Sequence, residues 1–168
     1  MGTGLYIIYA VIIACVVLPF VLFITGSRKR NRQLTKALQS EATQQNNKLD
    51  KIEVNNSFAI GLDTNAQKLF FHKSTATKDY TQSVDLTTVE HCDFLKVTRA
   101  ITTKTKREEI IEKLILSFTH HHHKENSVLE FYNHEDEMIL SDEVLMGEKW
   151  KQEINTLLAS KPEALAMA

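Results

Sequence analysis

The sequence predicts an α+β protein: a transmembrane helix and a helical linker, then an antiparallel β-sheet closed by one C-terminal amphipathic helix. The sheet is expected to form a partly open barrel of about six to seven strands. Three observations support this order. Residues 5–24 are apolar and uncharged, apolar residues then recur at helical spacing as far as position 56, and the pattern alternates with a period of two from position 57.

The N-terminal run has 20 residues, of which 14 are Leu, Ile, Val or Phe. A helix of that length rises about 30 Å, which is the thickness of the hydrocarbon core of a bilayer. The basic residues that follow Ser27 are typical of a stop-transfer flank, and no basic side chain precedes the apolar run as it would in a signal peptide. We therefore expect residues 1–27 to be a retained single-pass anchor in the lipid bilayer.

A basic collar follows the apolar run and precedes the first acidic residue, Glu41. It consists of Arg28, Lys29, Arg30, Arg32 and Lys36. By the positive-inside rule, the N-terminus lies outside and the C-terminal domain is cytoplasmic. The collar is also a candidate for binding anionic lipid headgroups, and the alternative is a topology signal alone.

Residues 28–56, the collar and linker, are expected to be helical. No Gly or Pro occurs after position 30 in this stretch, and the apolar residues are spaced by 3, 4 or 7: Leu34, Leu38, Ala42, Leu49 and Ile52. The pattern allows a weak homodimer through the linker helix. The alternative is a solvated helical spacer that frays at Asn46 and Asn47, because barely two heptads are present.

The alternating pattern predicts a β domain over residues 57–160. Residues 57–62 and 68–72 flank a five-residue turn and are expected to form the first hairpin. Further strands are expected at residues 82–85, 89–98, 113–119 and 127–132. Each strand is expected to be half-buried, with one face in the core.

The last predicted element is a helix with Ser141 as its N-cap, ended by Lys161 and Pro162. Its apolar stripe consists of Met146, Trp150, Ile154, Leu157 and Leu158. This stripe is expected to cover the sheet. Residues 161–168 are expected to be a flexible tail.

Strands followed by a single C-terminal helix over residues 57–160 resemble the pleckstrin-homology-like fold. In that family the closing helix commonly carries a Trp, and Trp150, the only Trp of the chain, lies in the matching helix. Phosphoinositide binders of the family carry a basic cluster at the first hairpin. The matching residues 61–73 have Asp63 in the turn and no Arg. The resemblance therefore implies the fold without inositol phosphate binding.

Four consecutive histidines, residues 120–123, are expected where one strand turns into the next. Alternate side chains of a strand point to opposite faces, and a zinc site needs three or four ligands. A candidate metal site would therefore combine His120 and His122 with His134. The alternatives are a switch that protonates near pH ~6.5 and a solvated turn.

A second basic group, Lys104, Lys106 and Arg107, is a candidate for headgroup binding or a solvated turn. After Lys36 the chain carries 15 basic and 21 acidic residues, a net charge of −6. That charge disfavours nucleic acid as a partner, because such binding depends on neutralising phosphates.

Catalytic sequence motifs such as G-x-S-x-G, H-E-x-x-H and the Walker A loop are absent from the sequence. The two cysteines, Cys15 and Cys92, are expected to be free thiols. We therefore expect a membrane-anchored protein-interaction or assembly module that is not an enzyme, needs no cofactor and binds a protein partner. The alternatives are a module that engages anionic lipid at a membrane surface, and a metal or pH sensor built on the histidines.

Overall fold

Two helices and two antiparallel sheets make up the part of the chain that the computed structural model describes, residues 3–103, 106–121, 125–137 and 139–160. Helix α1 spans Thr3–Gln44 and helix α2 spans Glu143–Ala159. Between them lie β1 Lys51–Val54, β2 Phe58–Asp63, β3 Lys68–Ser74, β4 Asp79–Asp85, β5 Val89–Thr103, β6 Lys106–His120 and β7 Ser127–Asn133.

The strands form one sheet in the order β1-β2-β3-β4 and a second in the order β5-β6-β7. The expected single sheet curved into a partly open barrel is therefore wrong, and the described residues form no closed barrel. The division occurs at a 3-10 turn, Leu86–Thr88, between β4 and β5. The Asp85 carboxylate accepts a hydrogen bond from the Thr87 amide and caps this turn, which ends the first sheet and redirects the chain into the second.

The main core lies between the two sheets and beneath α2. Its centre is aromatic: the Phe131 ring lies 4.6 Å from that of Phe58 and is stacked on that of Phe71 at 5.7 Å. Alternate residues of each strand point into this core, as the period of two predicts. The other buried members include Ile60, Leu62, Leu69, Val84, Leu114, Leu116, Phe118, Leu129, Trp150 and Ile154.

A second, smaller core lies on the outer face of the first sheet, where α1 packs. Leu34, Leu38 and Ala42 of α1 are buried against Ala59 and Phe70. Strands β2 and β3 are therefore buried on both faces, whereas the sequence predicted half-buried strands. The apolar stripe considered for a homodimer or a solvated spacer packs within its own chain.

Gly61 of β2 allows this close approach of α1. A Cβ atom at this position would lie 2.9 Å from Cδ1 of Leu49 and 3.0 Å from Cδ2 of Leu38. Carbon atoms at such distances overlap, since the optimal separation is about 3.5–4.0 Å. A methyl group at position 61 would therefore require the ends of the Leu38 and Leu49 side chains to shift.

Helix α1 ends at Gln44, whereas the spacing of apolar residues predicted a helix as far as residue 56. Asn46 has a φ of 56°, and its amide donates to the Thr43 carbonyl while the Asn47 amide donates to the Ala42 carbonyl. This is a Schellman motif, which satisfies the last carbonyls of a helix and terminates it. Residues 51–54 are then free to form β1.

The predicted transmembrane anchor is contradicted, and with it the single-pass location, the outside N-terminus and the cytoplasmic domain. Over the described part of the chain, no helix combines the length and apolar character that crossing a membrane requires.

Helix α2 closes the core, with Trp150 and Ile154 fully buried. The Trp150 Nε1 donates to Oε2 of Glu53 at 3.0 Å, which connects α2 to β1. The predicted cap at Ser141 is wrong. The N-cap is Asp142, and the backbone amide of Ser141 instead donates to the buried Glu143 carboxylate.

Helix α2 is also fixed to β5. The Asn155 amide group donates to the Cys92 carbonyl at 2.8 Å and accepts from the Cys92 amide at 3.0 Å. This pair of bonds replaces a neighbouring strand at that point of the edge of β5. The predicted stop at Lys161 and Pro162, and the predicted flexible tail, lie outside the described residues.

We expect Leu38→Ala to lower the free energy of unfolding by about 2–5 kcal/mol, because it leaves a cavity between α1 and the sheet. Urea unfolding followed by circular dichroism measures the loss. Leu145→Ala is the control, since Leu145 is 74% exposed and also helical, and its effect should stay within about 0.5 kcal/mol. Equal losses would contradict the packing of α1 on the sheet.

We expect Gly147→Ala to destabilise the protein, because its Cβ would lie 2.2 Å from the Phe94 ring. Overpacking the core lowers the free energy of unfolding by about 1–3 kcal/mol. The higher helix propensity of alanine raises it by about 1 kcal/mol relative to glycine. In a Phe94→Leu background the clash is relieved, and the same substitution should become stabilising. Thermal unfolding of the four proteins tests this reversal of sign, which would be absent if Gly147 did not contact Phe94.

Candidate functional site

The N-terminal half of α1 exposes a large apolar surface. Nine of its described apolar side chains have exposed fractions between 49% and 61%. They are Ile8, Tyr9, Val11, Ile12, Ile13, Val16, Val17, Leu18 and Val21. We call these nine residues the apolar segment. Successive helical residues are turned by about 100°, so the segment is apolar on every side of the helix.

The basic collar lies directly after the apolar segment on the same helix, and all five of its residues are exposed. Arg30 is held in place, because its Nη2 donates to the Ser74 carbonyl at 3.0 Å. Ser74 ends β3, so this bond connects α1 to the hairpin of β3 and β4. Of the predicted headgroup ligands, Lys29 and Arg30 face the hairpin, whereas no contact brings Arg28, Arg32 and Lys36 to the same surface within the described residues.

A groove of about 500 Å³ lies between the collar and that hairpin. Its helix side is formed by Gly26, Lys29, Arg30 and Gln33, and its hairpin side by residues 74–76. Gln33 and the hairpin residues were not predicted as site residues. Nothing in the sequence indicates that positions 29–33 and 74–76 meet, because the contact depends on how α1 crosses the sheet.

An ion-pair cluster fixes the hairpin side of the groove. Lys73 is fully buried and pairs with Oε1 of Glu137 at 3.1 Å, and its Nζ donates to the Glu130 carbonyl at 3.2 Å. Lys78 lies 2.7 Å from Oδ2 of Asp136 and 3.3 Å from Oε1 of Glu130. The hydrogen bond between Lys78 and Asp136 raises the pKa of the Lys78 amine and lowers that of the Asp136 carboxyl. The cluster ties the hairpin to the turn after β7.

The alternation of β3 was a signal for Lys73 that the sequence analysis did not use. Leu69, Phe71 and Lys73 are spaced by two and therefore share the face that points into the main core. A lysine on such a face is almost never fully buried without a carboxylate partner. Applied to position 73, that rule predicts an ion pair between Lys73 and a carboxylate.

The structure describes no side chain of the second basic group. Lys104 lies outside the described residues, and Lys106 and Arg107 begin β6, where only the backbone is described. Their predicted role in headgroup binding stays a prediction.

The two candidate histidine ligands that the structure describes, His120 and His134, do not converge. Both ring nitrogens of His120 are hydrogen-bonded, Nδ1 with Thr88 Oγ1 at 2.9 Å and Nε2 with Ser127 Oγ at 2.8 Å. His134 lies beyond the opposite end of β7, roughly 20 Å away along the strand, and contacts the Tyr132 hydroxyl. His122 lies outside the described residues. Elsewhere in the described chain, no three His, Cys, Asp or Glu side chains are placed to share a metal ion.

Cys92 is buried beneath α2, whereas Cys15 is exposed on α1, and both are free thiols. Burial raises the pKa of the Cys92 thiol to about 12. The neighbouring imidazole of His91 lies 3.3 Å from the Asp93 carboxylate rather than beside the thiol. Cys92 is therefore protonated at neutral pH, which is the opposite of what a nucleophile requires.

Comparisons with protein-family models, with curated proteins and with solved structures found no match to this chain. The resemblance to the pleckstrin-homology-like fold therefore stays a prediction.

We expect iodoacetamide at neutral pH to modify Cys15 in the folded protein but to modify Cys92 only after unfolding in urea, as measured by peptide mass spectrometry. The unfolded thiol ionises near pH 9.0, while the folded thiol stays protonated until about pH 12. Cys92 therefore makes the free energy of unfolding fall as the pH rises above 9.0. Equal rates of modification at both cysteines in the folded protein would contradict the burial of Cys92.

Proposed function

We propose that this protein is a non-catalytic interaction or assembly module, in which the folded domain holds α1 and α1 presents the apolar segment to a protein partner. The observation that carries the proposal is the exposure of the apolar segment. A helix that is apolar on all sides is normally buried, and exposed apolar patches of this kind mark interaction sites. The segment is therefore expected to be enclosed in the assembled state.

The two halves of α1 support a division of roles. The C-terminal half buries Leu34, Leu38 and Ala42 against the first sheet, and the Arg30 bond to Ser74 adds a polar attachment. The N-terminal half projects from this attachment as part of one continuous helix. The domain thus fixes the direction in which the apolar segment points, which reduces the entropy lost on association.

The state of Cys92, the candidate nucleophile of the β domain, supports the proposal that the module is not catalytic. The thiol of Cys92 is buried, has a raised pKa, and lies beneath a helix that is bonded to its own backbone. Catalysis through a thiol requires an accessible thiolate beside a base.

A second candidate function is engagement of an anionic lipid surface. It is favoured by the position of the basic collar, which is exposed and directly follows the apolar segment on α1. Each basic residue near an anionic membrane surface contributes about 1 kcal/mol of attraction.

We expect cross-linking of the full chain in its native cell through the Lys29 amine to capture a protein, because Lys29 is the lysine nearest the apolar segment. The double substitution Ile12→Gln and Val16→Gln should reduce this product by about tenfold or more, since it places two amides in a buried contact. Leu145→Gln is the matched control, as it changes an exposed leucine of α2, and it should leave the product unchanged.

Two results would contradict the proposal: no protein cross-linked at Lys29, or equal capture by both variants. Vesicle flotation of the full chain then tests the second candidate. Flotation that requires anionic lipid and is lost with Arg28→Gln and Arg32→Gln would favour lipid engagement, whereas no flotation would exclude it.

A further inference from the structure

We propose that the groove between α1 and the β3–β4 hairpin is a binding site for a phosphate monoester. The groove brings Lys29 and Arg30 of the helix to face residues 74–76 of the hairpin. This site includes no residue of the apolar segment. The proposal therefore does not depend on whether α1 binds a protein.

Arg30 is oriented for anion binding before any ligand arrives. One of its five N–H donors is used on the Ser74 carbonyl at 3.0 Å, which leaves the other donors available. A planar guanidinium matches phosphate oxygens in a two-pronged geometry, and a fixed one loses less entropy on binding. Lys29 and Gln33 lie four residues apart, and therefore on one face of α1, where they add an ammonium and an amide.

The hairpin side of the groove is rigid. Thr75 Oγ1 accepts hydrogen bonds from the amides of Lys78 at 3.0 Å and Thr77 at 3.3 Å, and the Thr75 amide donates to the Lys78 carbonyl at 2.7 Å. The ion-pair cluster of Lys73 and Lys78 then holds this turn against the turn after β7. Ala76 lines the groove between these fixed points without adding charge.

The groove has a positive local charge. The described residues that line it include two cations and no acid. The carboxylates of Glu130, Asp136 and Glu137 pair with Lys73 or Lys78. Asp79 accepts a hydrogen bond from Ser74 Oγ at 3.3 Å.

The size and openness of the groove restrict the ligand class. About 500 Å³ accommodates a phosphate group with a small substituent, and the polar lining suits a charged ligand. A phosphate monoester carries up to two negative charges and accepts from both cations at once. The same chemistry is present in a free phosphorylated metabolite and in a lipid with a terminal phosphate, so the experiment has to separate the two sources.

The test compares Ala76→Glu with Ala66→Glu in the full chain, using inorganic phosphate as the probe in an isothermal titration. Both alanines are exposed turn residues, but only Ala76 lines the groove. We expect saturable phosphate binding that Ala76→Glu weakens by about tenfold or more, because a carboxylate then occupies the anion site. Ala66→Glu should bind as the unchanged protein does. Lys29→Gln should also weaken binding, without adding an acid.

The second arm uses vesicles of phosphatidylcholine with and without phosphatidic acid. Capture that requires phosphatidic acid and is lost with Ala76→Glu assigns the site to a lipid headgroup. Binding of inorganic phosphate without that capture assigns it to a free phosphorylated compound. Absence of saturable phosphate binding, or equal weakening by Ala76→Glu and Ala66→Glu, would overturn the proposal.

Discussion

The packing of α1 across Gly61 is the contact on which the other features of this protein depend. It buries Leu34 and Leu38 against a sheet face that would otherwise be exposed, and it makes β2 and β3 central to the structure. It also brings residues 29–33 next to the β3–β4 hairpin, which creates the groove. A side chain at position 61 would displace the ends of Leu38 and Leu49, which fill the space between the helix and the sheet.

Local patterns in the sequence predicted the elements that do not depend on distant contacts. The apolar stripe with Trp150 identified the closing helix, and the alternation from residue 57 identified β2 to β7, although β5 and β6 are longer than predicted and β1 was missed. The end of α1 was misplaced because Leu49 and Ile52 continue its helical spacing, while the stop is a backbone motif at Asn46 that spacing does not reveal. The transmembrane prediction relied on the length and hydropathy of residues 5–24 and on the basic flank that follows, and the described helix does not support it.

The candidate site was predictable only in part, for a similar reason. The basic collar is contiguous in sequence, so its residues could be identified in advance. The hairpin half of the groove is about forty residues away and carries no unusual composition, so only the fold connects it to the collar. The four histidines are prominent in the sequence, but the described ones form no metal site. His120 is hydrogen-bonded to Thr88 and Ser127 and lies far from His134.

Helix α1 is long and is attached to the sheet near one end only. Its 42 residues extend about 63 Å, and only the C-terminal half is attached to the sheet. A rotation of a few degrees about the crossing at Gly61 would therefore move the free tip by several ångströms while shifting the core side chains much less. The bond between Arg30 and Ser74 lies between this crossing and the free end of the helix. Such a rotation would therefore also change the width of the groove.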